Sequence, residues 1–489
     1  MGNVQVDIKK LKIYINGEWQ DSVSGEVFES INPETLEAVA QVPRGNVEDV
    51  DAAVKAARQA FESAEWSDML PAERGRILLR FAQLILEHKE ELADLEVLDT
   101  GRPLMIAQSG VNLAARYFEF YGGAADKIMG ETIPVRHDYL DYTIREPLGV
   151  TAHIVPWNYP TQMVARSVAP ALAAGNTIVI KPAEDTPMTA LKLAELGTLA
   201  GLPKGVINVV TGYGHEAGAA LASHSDINHI TFTGSVETGS NVMRSASDNI
   251  VTLTLELGGK SPQIVFADAD LEDAARNVVR SITRNAGQTC AAGSRLLVEK
   301  TVHAKFLQIV QDMMDELTYG TAYENPDLSP VISEKQISRI EQYIDLAVQE
   351  GSQIVRGGRR KEAGKLVLEP TIIDQLPKTS PLLVEEIFGP VLVVQTFEKV
   401  EEALVIANST PYGLAAYIHT TDIHKVLWLA RKIRAGQIFV NSTGVPEGGA
   451  ELPFGGVGKS GYGREKGLEA LKHYTHLKNV TVKFNGVGS

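Results

Sequence analysis

From about residue 150, short β-branched runs alternate with amphipathic segments, and this alternation constrains the fold most strongly. The apolar runs 152–155, 177–180 and 206–210 are each followed by a stretch with helical periodicity. Strands that alternate with helices build a parallel sheet with helices on its faces. A second alternating series begins near residue 263 and ends near residue 440. The sequence therefore predicts two α/β domains, with nucleotide binding at the carboxyl ends of the strands.

Two segments depart from this alternation and predict contacts between subunits. Residues 130–147 alternate like a β-hairpin and show no helical period, and residues 473–484 resemble an edge strand. Exposed strand edges favour pairing with another chain.

Charge and composition exclude several classes of function. The chain has 46 Lys and Arg against 61 Asp and Glu, a net charge of −15, which argues against nucleic-acid or anionic-membrane partners. Its start lacks the apolar stretch of a signal peptide. The sequence also contains no uninterrupted run of about 18 apolar residues, which a membrane-spanning helix would need. One cysteine fits a reducing compartment, and 11 scattered histidines predict no metal site. We therefore expect a cytoplasmic protein.

The one cysteine, Cys290, lies in the segment 287–290, and the carboxylate of Glu256 lies upstream in the segment 256–260. A nucleophile and a candidate base are the minimum for covalent catalysis. A free cysteine is more often a small buried apolar residue, so Cys290 taken alone leaves both interpretations open.

Three predicted strand ends carry candidates for nucleotide binding. Segment 211–217 matches a loose glycine fingerprint, although a tight turn explains it equally well. In segment 232–239, Ser235 starts a helix whose amino end could hold a pyrophosphate, or it is an ordinary cap. Lys181 and Glu184 could reach ribose hydroxyls, or they form a surface ion pair. Glu184 would repel a 2′-phosphate, which favours NAD over NADP.

A further strand end carries Asn158, whose neutral amide suits a developing oxyanion but is also common in turns. Together these segments resemble, in chain order, the motifs of the aldehyde dehydrogenase superfamily. The resemblance covers about residues 11–480 and rests on PWNYP (156–160), KPAE (181–184), FTGS (232–235), ELGGK (256–260), GQTC (287–290), EEIFGP (385–390) and PFGG (453–456).

This resemblance implies an α/β fold of the aldehyde dehydrogenase type. It has a Rossmann-type parallel-sheet cofactor domain, an α/β catalytic domain and a small β oligomerisation element. The implied boundaries are 1–127 and 148–256 for the NAD-binding domain, 257–456 for the catalytic domain, and 128–147 and 457–489 for the oligomerisation elements. The assembly would be a homodimer or homotetramer.

The resemblance also implies a chemistry in which an aldehyde is oxidised to a carboxylic acid with NAD. Cys290 would attack the aldehyde carbon and form a thiohemiacetal and then a thioester. The Asn158 amide, with the Cys290 backbone amide, would hold the oxyanion, and Glu256 would activate the hydrolytic water. Because a carboxylate of ordinary pKa is a poor base, we expect an apolar pocket that raises the pKa of Glu256.

The other implied site residues fall into three groups. Lys181 is grouped with the catalytic residues, and Lys260 would position the loop of Glu256 or form a structural ion pair. The implied cofactor residues are Val155, Pro156, Trp157, Lys181, Glu184, Gly214, Phe232, Gly234, Ser235, Leu257, Glu386 and Phe388. The implied substrate residues are Tyr159, Arg166, Thr289 and Phe454.

Arg166 bears on the substrate, because relatives that take simple aliphatic aldehydes often place an aromatic residue there. An arginine could pair with a substrate carboxylate or stack on a ring. Alternatively it points away, or an acid such as Glu119 or Glu451 neutralises it. The stretch Ser442–Leu452 contains no aromatic residue. It predicts a wide entrance, and hence a bulky, aromatic or polar aldehyde.

Three alternatives stay open at this stage. Coenzyme A could replace water as the acyl acceptor, although the presence of Glu256 weighs against it. A cysteine hydrolase without cofactor would need a histidine partner, and no histidine is near Cys290 in the sequence. A non-catalytic binding or structural protein on the same fold is the third, and the intact Cys290, Glu256 and Asn158 argue against it.

Overall fold

The structure is a computed structural model that describes residues 9–444 and 449–484. Its strands are β1 (Lys9–Lys10), β2 (Ile13–Ile15), β3 (Glu18–Gln20), β4 (Val27–Ile31), β5 (Ala38–Pro43), β6 (Thr132–Ile133), β7 (Tyr139–Pro147), β8 (Val150–Val155), β9 (Thr177–Pro182), β10 (Ile207–Val209), β11 (His229–Thr233), β12 (Thr252–Glu256), β13 (Pro262–Val265), β14 (Arg295–Glu299), β15 (Gln353–Arg356), β16 (Thr371–Asp374), β17 (Val391–Phe397), β18 (Ala415–His419), β19 (Gln437–Val440), β20 (Gly461–Tyr462) and β21 (Thr475–Lys483). Its helices are α1 (Val47–Glu62), α2 (Ala64–Ser67), α3 (Pro71–Glu87), α4 (Lys89–Thr100), α5 (Leu104–Ala124), α6 (Pro160–Ala173), α7 (Met188–Leu199), α8 (Ala219–Ala222), α9 (Val236–Ser247), α10 (Leu271–Thr283), α11 (His303–Asp315), α12 (Glu334–Gln349), α13 (Val400–Ala407), α14 (Ile423–Lys432) and α15 (Glu469–His473).

The first sheet has eight strands in the order β20-β12-β11-β8-β9-β10-β2-β3. Strands β12, β11, β8, β9 and β10 run parallel, and antiparallel strands close both edges. Apolar side chains cover both faces, with α3, α5, α6 and α7 on one and α1, α8 and α9 on the other. This arrangement is what the strand–helix alternation predicts.

The register of this sheet brings four motifs to one edge. Ile154 pairs with both Lys181 and Phe232, and Thr233 pairs with Glu256. Because all four strands run in the same direction, the loops that follow them meet at the carboxyl ends of the strands.

The second sheet has seven strands in the order β15-β16-β17-β14-β13-β18-β19, and only β15 is antiparallel to its neighbour. Helices α10 and α11 pack on one face, and α13 and α14 pack on the other. The second predicted α/β series is therefore also a mostly parallel sheet.

A separate three-stranded sheet contains the two segments that the sequence singles out. Strand β21 pairs antiparallel with β7 from Thr475↔Pro147 to Lys483↔Tyr139, and β6 pairs on the other side of β7. Another small sheet, β1-β5-β4, has no counterpart in the sequence analysis.

The segment 457–489, predicted as one bridging element, is divided in the structure. Its strand β20 pairs antiparallel with β12 through Tyr462↔Leu255 and Gly461↔Glu256, inside the first sheet. The amide of Leu257 also donates to the Ser460 carbonyl at 3.0 Å. The sequence does not reveal this return, because two residues are too short a strand to show alternation.

Two helix starts have local causes in the sequence. The side chain of Asn46 accepts the amides of Glu48 and Asp49 and caps α1, and Pro71 opens α3 where no amide donor is needed. Within the described part of the chain, no helix is long and apolar enough to cross a membrane.

Candidate active site

A cavity of about 1780 Å³ opens between the carboxyl edge of the first sheet and the second sheet. Most of the residues implied by the sequence line it. They are Pro156, Trp157, Asn158, Tyr159, Arg166, Gly234, Ser235, Glu256, Leu257, Thr289, Cys290, Glu386, Phe388 and Phe454.

Six implied residues do not line this cavity, namely Val155, Lys181, Glu184, Gly214, Phe232 and Lys260. Val155 and Phe232 are buried strand residues that pack in the core beneath it. Lys181 and Glu184 lie together at the end of β9, close to the turn that contains Gly214. Lys181, which the sequence groups with the catalytic residues, is thus placed with Glu184 and apart from the Cys290 cavity.

Cys290 follows a tight turn in which Asn285 and Ala286 have φ of +54° and +53°. Its side chain is half-buried and faces the cavity. Burial raises the pKa of the Cys290 thiol to about 12, against the opposing effect of the Arg166 guanidinium. The thiol is therefore protonated at neutral pH until a base removes its proton.

Asn158 is buried and held from two sides. Its Nδ2 donates to the Gln288 carbonyl at 2.9 Å, and its own carbonyl accepts Nδ2 of Asn285 at 2.9 Å. The amide of Cys290 has no acceptor among the described residues. One hydrogen of Asn158 and this amide are left to face a ligand oxygen, as an oxyanion site requires.

A buried ion pair that the sequence analysis misses supports Asn158 from below. Nη1 of Arg102 donates to Oε1 of Glu96 at 2.6 Å, with both side chains at most 2 % exposed. Nη2 of Arg102 donates to the Asn158 carbonyl and, at 3.2 Å, to Oδ1 of Asn285. The guanidinium lies 5.0 Å from the centre of the Tyr159 ring. The apolar neighbours of Glu96 in α4 are the sequence feature that could have indicated its burial.

Glu256 ends β12 and is 1 % exposed. Neither carboxylate oxygen has a hydrogen-bond partner among the described residues. Burial raises its pKa well above the usual range, and the nearby Glu465 raises it further. The direction agrees with the sequence analysis, but the pocket is not purely apolar. Gly455 gives Glu256 room, since a Cβ there would lie 2.8 Å from Oε1.

The charge of Arg166 is balanced by an acid that the sequence does not suggest. Its guanidinium forms a buried ion pair with Glu465, and both side chains are at most 5 % exposed. Glu119 and Glu451, the acids suggested from the sequence, instead pair with Arg116. The Arg166 guanidinium also lies 5.0 Å from the centre of the Phe454 ring.

Lys466 is a second cation at this end of the cavity that the sequence analysis misses. Its Nζ lies 5.1 Å from the centre of the Phe454 ring, and the residue lines the cavity. Tyr159 and Thr289 close the neighbouring wall through a hydroxyl–hydroxyl hydrogen bond of 2.8 Å. Of the glycine-rich stretch, Thr443, Gly444, Gly449 and Leu452 line the cavity, and residues 445–448 lie outside the described residues.

The opposite end of the cavity has the features of a nucleotide site. Ser235 caps α9 by accepting the Thr238 amide, and Gly234 and Ser235 line the cavity at this helix amino end. Oε1 of Glu386 accepts the Gly259 amide at 2.8 Å, and burial raises its pKa to about 7. Gly258 leaves room for this carboxylate, because a Cβ there would lie 2.2 Å from Oε2 of Glu386 and would displace it.

Two further arrangements complete this end. The rings of Trp157 and Phe388 meet edge to face with centres 5.4 Å apart. Nζ of Lys181 lies 3.0 Å from Oε2 of Glu184, but Lys181 is buried, so this pair is not the surface ion pair of the second alternative. A pyrophosphate at α9 and ribose hydroxyls at Glu184 and Glu386 therefore fit the residues present.

Lys260 does not form the ion pair that was one of its two alternatives. It is 2 % exposed, and its Nζ has no hydrogen-bond partner among the described residues. Burial, and then the neighbouring Arg295, lowers its pKa to about 7. In the described residues, no group of three or more His, Cys, Asp or Glu is placed to hold a metal ion.

Comparisons with known proteins agree with this site. The profile of the Aldehyde dehydrogenase family matches residues 19–480. The chain belongs to the aldehyde dehydrogenase family. The superfamily resemblance, the fold class and the prediction of an aldehyde dehydrogenase are thereby confirmed.

Similar proteins are aligned over nearly their full length. Aldehyde dehydrogenase 1 of Tanacetum cinerariifolium is 45% identical, over 97% of this chain and 95% of that protein. Hydroxyisobutyraldehyde dehydrogenase of Mycolicibacterium austroafricanum is 43% identical, over 96% of this chain and 93% of that protein. The NAD+ complex of an aldehyde dehydrogenase from Bacillus cereus is 42% identical with a TM-score of 0.95, and the match covers 98% of this chain and 97% of that one.

Proposed function

We propose that this aldehyde dehydrogenase oxidises a bulky, aromatic or carboxylate-bearing aldehyde to its acid through a thiohemiacetal and a thioester on Cys290. The observation that carries the proposal is the meeting of Cys290, Asn158 and Glu256 at one cavity. NAD is the cofactor, as in the Bacillus cereus neighbour, and when bound it supplies the acceptor for the hydride.

In the first step, Cys290 is the nucleophile and Asn158 holds the oxyanion. Because the Cys290 thiol has a pKa of about 12, its proton must pass to water in the open cavity as its sulfur attacks the aldehyde carbon. The Asn158 amide and the backbone amide of Cys290 then donate to the oxygen that becomes negative. Both donors are fixed before the aldehyde arrives, so little reorganisation accompanies the attack.

In the second step, Glu256 is the base. Its raised pKa makes it a better proton acceptor than an ordinary carboxylate, and both of its oxygens lack a partner among the described residues. A water molecule placed between Glu256 and the thioester would lose its proton to the carboxylate and attack the acyl carbon. The C–S bond then breaks, the acid leaves, and the Cys290 sulfur takes up the proton held by Glu256, which restores both the thiol and the carboxylate.

Two walls of the cavity serve the two ligands. We assign the cofactor to Trp157, Ser235, Glu386 and Phe388, with the adenosine ribose beside Lys181 and Glu184. Lys181 is therefore proposed as a cofactor residue. Tyr159, Arg166, Thr289 and Phe454 surround the aldehyde, with Arg166 acting as a wall because Glu465 balances its charge.

The sheet of β6, β7 and β21 is proposed as the contact between subunits of a homodimer or homotetramer. It exposes apolar side chains on both long strands, including Leu140, Leu477 and Val482, which are 44%, 56% and 42% exposed. Light scattering after gel filtration tests this: Leu477→Lys should lower the measured mass of the assembly. A mass of one subunit for the unaltered protein would exclude the assembly.

The test of the activity is NADH formation, followed by its near-ultraviolet absorbance, with aliphatic, aromatic and carboxylated aldehydes. Cys290→Ala should abolish turnover while NAD binding, measured by fluorescence, stays. The same assay with added coenzyme A identifies the acyl acceptor. Absence of turnover with every aldehyde, from folded protein that binds NAD, would contradict the proposal.

A further inference from the structure

Three cationic side chains lie at the aldehyde end of the cavity, and two of them form ion pairs with carboxylates. Arg116 pairs with Glu119 and Glu451, and Arg166 pairs with Glu465. Lys466 differs, because no carboxylate oxygen lies within 4.0 Å of its Nζ in residues 9–444 and 449–484. Because this ammonium faces the cavity and has no contacting counterion in those residues, it can bind a negatively charged group of a ligand.

The side chain of Lys466 lies against Phe454 and Gly449. Its Nζ lies 5.1 Å from the centre of the Phe454 ring, and a Cβ on Gly449 would lie 3.4 Å from it. The side chain is half-buried, and desolvation lowers its pKa to about 8. The ammonium is therefore still largely protonated at pH 7, in a setting where removal from water has weakened its hydration. A partly desolvated ion gains more from a partner than an exposed one does.

The acids near Lys466 do not take the place of such a partner. Glu465 is engaged by Arg166, and Glu256, although near enough to raise the pKa of Lys466, has no oxygen within 4.0 Å of its Nζ in the described residues. Cys290 is a protonated thiol in the resting site. The ammonium of Lys466 is thus left without a contacting carboxylate from the described residues at the aldehyde end of the cavity.

Three arginines on one helix and its cap belong to the same cavity. Arg276, Arg280 and Arg284 are spaced four residues apart along α10 and its cap, are exposed, and line the cavity. Only Arg276 has a described carboxylate within reach, Asp273 at 4.0 Å. Glu316 and Asp327 also line this cavity, but no ion pair joins either of them to Arg280 or Arg284 in the described residues, so these two guanidiniums can attract an anion.

We propose that the substrate carries a carboxylate in addition to its aldehyde, and that Lys466 binds this carboxylate beside Phe454. Arg280 and Arg284 attract the anion at the entrance. This inference rests on the proposed aldehyde oxidation and narrows its substrate class. Lys466 is a specificity residue, because it contacts the far end of the substrate and not the reacting carbon.

The test compares kcat/KM for pairs of aldehydes that differ only in charge. The pairs are 4-carboxybenzaldehyde with 4-formylbenzamide, and 4-oxobutanoate with 4-oxobutanamide. The protein should prefer the carboxylate of at least one pair, and Lys466→Met should lower that carboxylate-to-amide ratio about 10- to 100-fold. Lys466→Arg should keep most of the preference. Lys459→Met, an exposed lysine away from the cavity, is the matched control.

The pH dependence gives a second readout. Below pH 8 Lys466 is charged, and above it the charge is lost, so the carboxylate-to-amide ratio of kcat/KM should fall as pH rises through about 8. The Lys466→Met variant should show no such fall.

Each other outcome is informative. If the amide is oxidised as well as the carboxylate in both pairs, or if Lys466→Met slows both members of a pair equally, the inference is wrong while the aldehyde oxidation stands. If neutral aldehydes are turned over and both carboxylates are refused, the inference is also wrong. If no aldehyde is oxidised, the proposed function itself fails.

Discussion

The cavity has a cofactor wall, with Trp157, Ser235, Glu386 and Phe388, and a substrate wall, with Tyr159, Arg166, Thr289 and Phe454. The two walls differ in whether their charged groups have partners. On the cofactor wall, Glu386 accepts a backbone amide and Glu184 pairs with Lys181, so each carboxylate has a partner before any ligand binds. On the substrate wall, Glu256 has no partner and Lys466 has no counterion among the described residues. Preformed pairs suit a wall that only holds the cofactor in place, whereas an unpaired buried carboxylate suits a step in which a proton moves, and an unpaired ammonium suits an anionic ligand.

The largest effect is expected when the carboxylate of Glu256, which has no partner among the described residues, is removed. Glu256→Gln should lower steady-state turnover about 10²- to 10⁴-fold, because the thioester loses its base. A rapid burst of NADH, close to one per active site, should come before the slow phase. Stopped-flow absorbance measures both. A slow first turnover without a burst would mean that Glu256 acts before the thioester forms.

The next largest effect concerns the buried pair of Arg166 and Glu465. Glu465→Gln leaves an arginine buried without its counterion and should lower the free energy of unfolding by about 3–5 kcal/mol. The double variant Arg166→Met with Glu465→Gln should recover much of this loss. Urea unfolding followed by tryptophan fluorescence measures both. Equal stabilities of the single and double variants would show that the pair is not coupled.

The resting thiol offers a test of its protonation. Since its pKa is about 12, the thiolate fraction of Cys290 rises tenfold per pH unit between pH 7 and 10. Alkylation by iodoacetamide should therefore accelerate by about 10³-fold over this range. The chain has one cysteine, so the measured rate belongs to Cys290. A rate that levels off below pH 9, as for a free thiol, would contradict the raised pKa.

A smaller effect is expected from replacing the ion pair of Arg102 and Glu96, which contacts the Asn158 carbonyl. Arg102→Met combined with Glu96→Gln removes both buried charges together and should lower kcat about 10- to 100-fold by loosening the oxyanion donor. NAD affinity should change little, which separates positioning from general damage. Arg102→Lys tests rescue of kcat. Equal losses in kcat and NAD affinity would indicate that the pair only stabilises the fold.

The smallest effect is expected on the cofactor wall. Glu184→Gln should raise the kcat/KM for NADP relative to NAD about tenfold, because one repulsive charge near the 2′-position is lost. The matched control is Glu195→Gln, because Glu195 also pairs with a lysine, Lys192 of α7. An unchanged ratio would place the adenosine ribose elsewhere.

The fold and the cofactor wall could be predicted better than the substrate wall. Strand ends carry the cofactor motifs, and a parallel sheet brings strand ends together whatever the details of packing. The partners of Arg166 and Asn158 could not be predicted. Glu465 lies some 300 residues from Arg166 and reaches it only because β20 returns to the first sheet. Glu96 and Arg102 carry no motif, since their role depends on burial that only tertiary packing creates.

The return of β20 to the first sheet also sets the order in which the enzyme becomes complete during its synthesis. Glu256 and Cys290 leave the ribosome well before the strand that pairs with β12 and before Glu465 and Lys466. Until those last residues arrive, Arg166 has no counterion and the wall around Phe454 is absent. A nascent chain therefore carries its reactive thiol without a finished pocket, and catalytic competence is a property of the finished polypeptide alone.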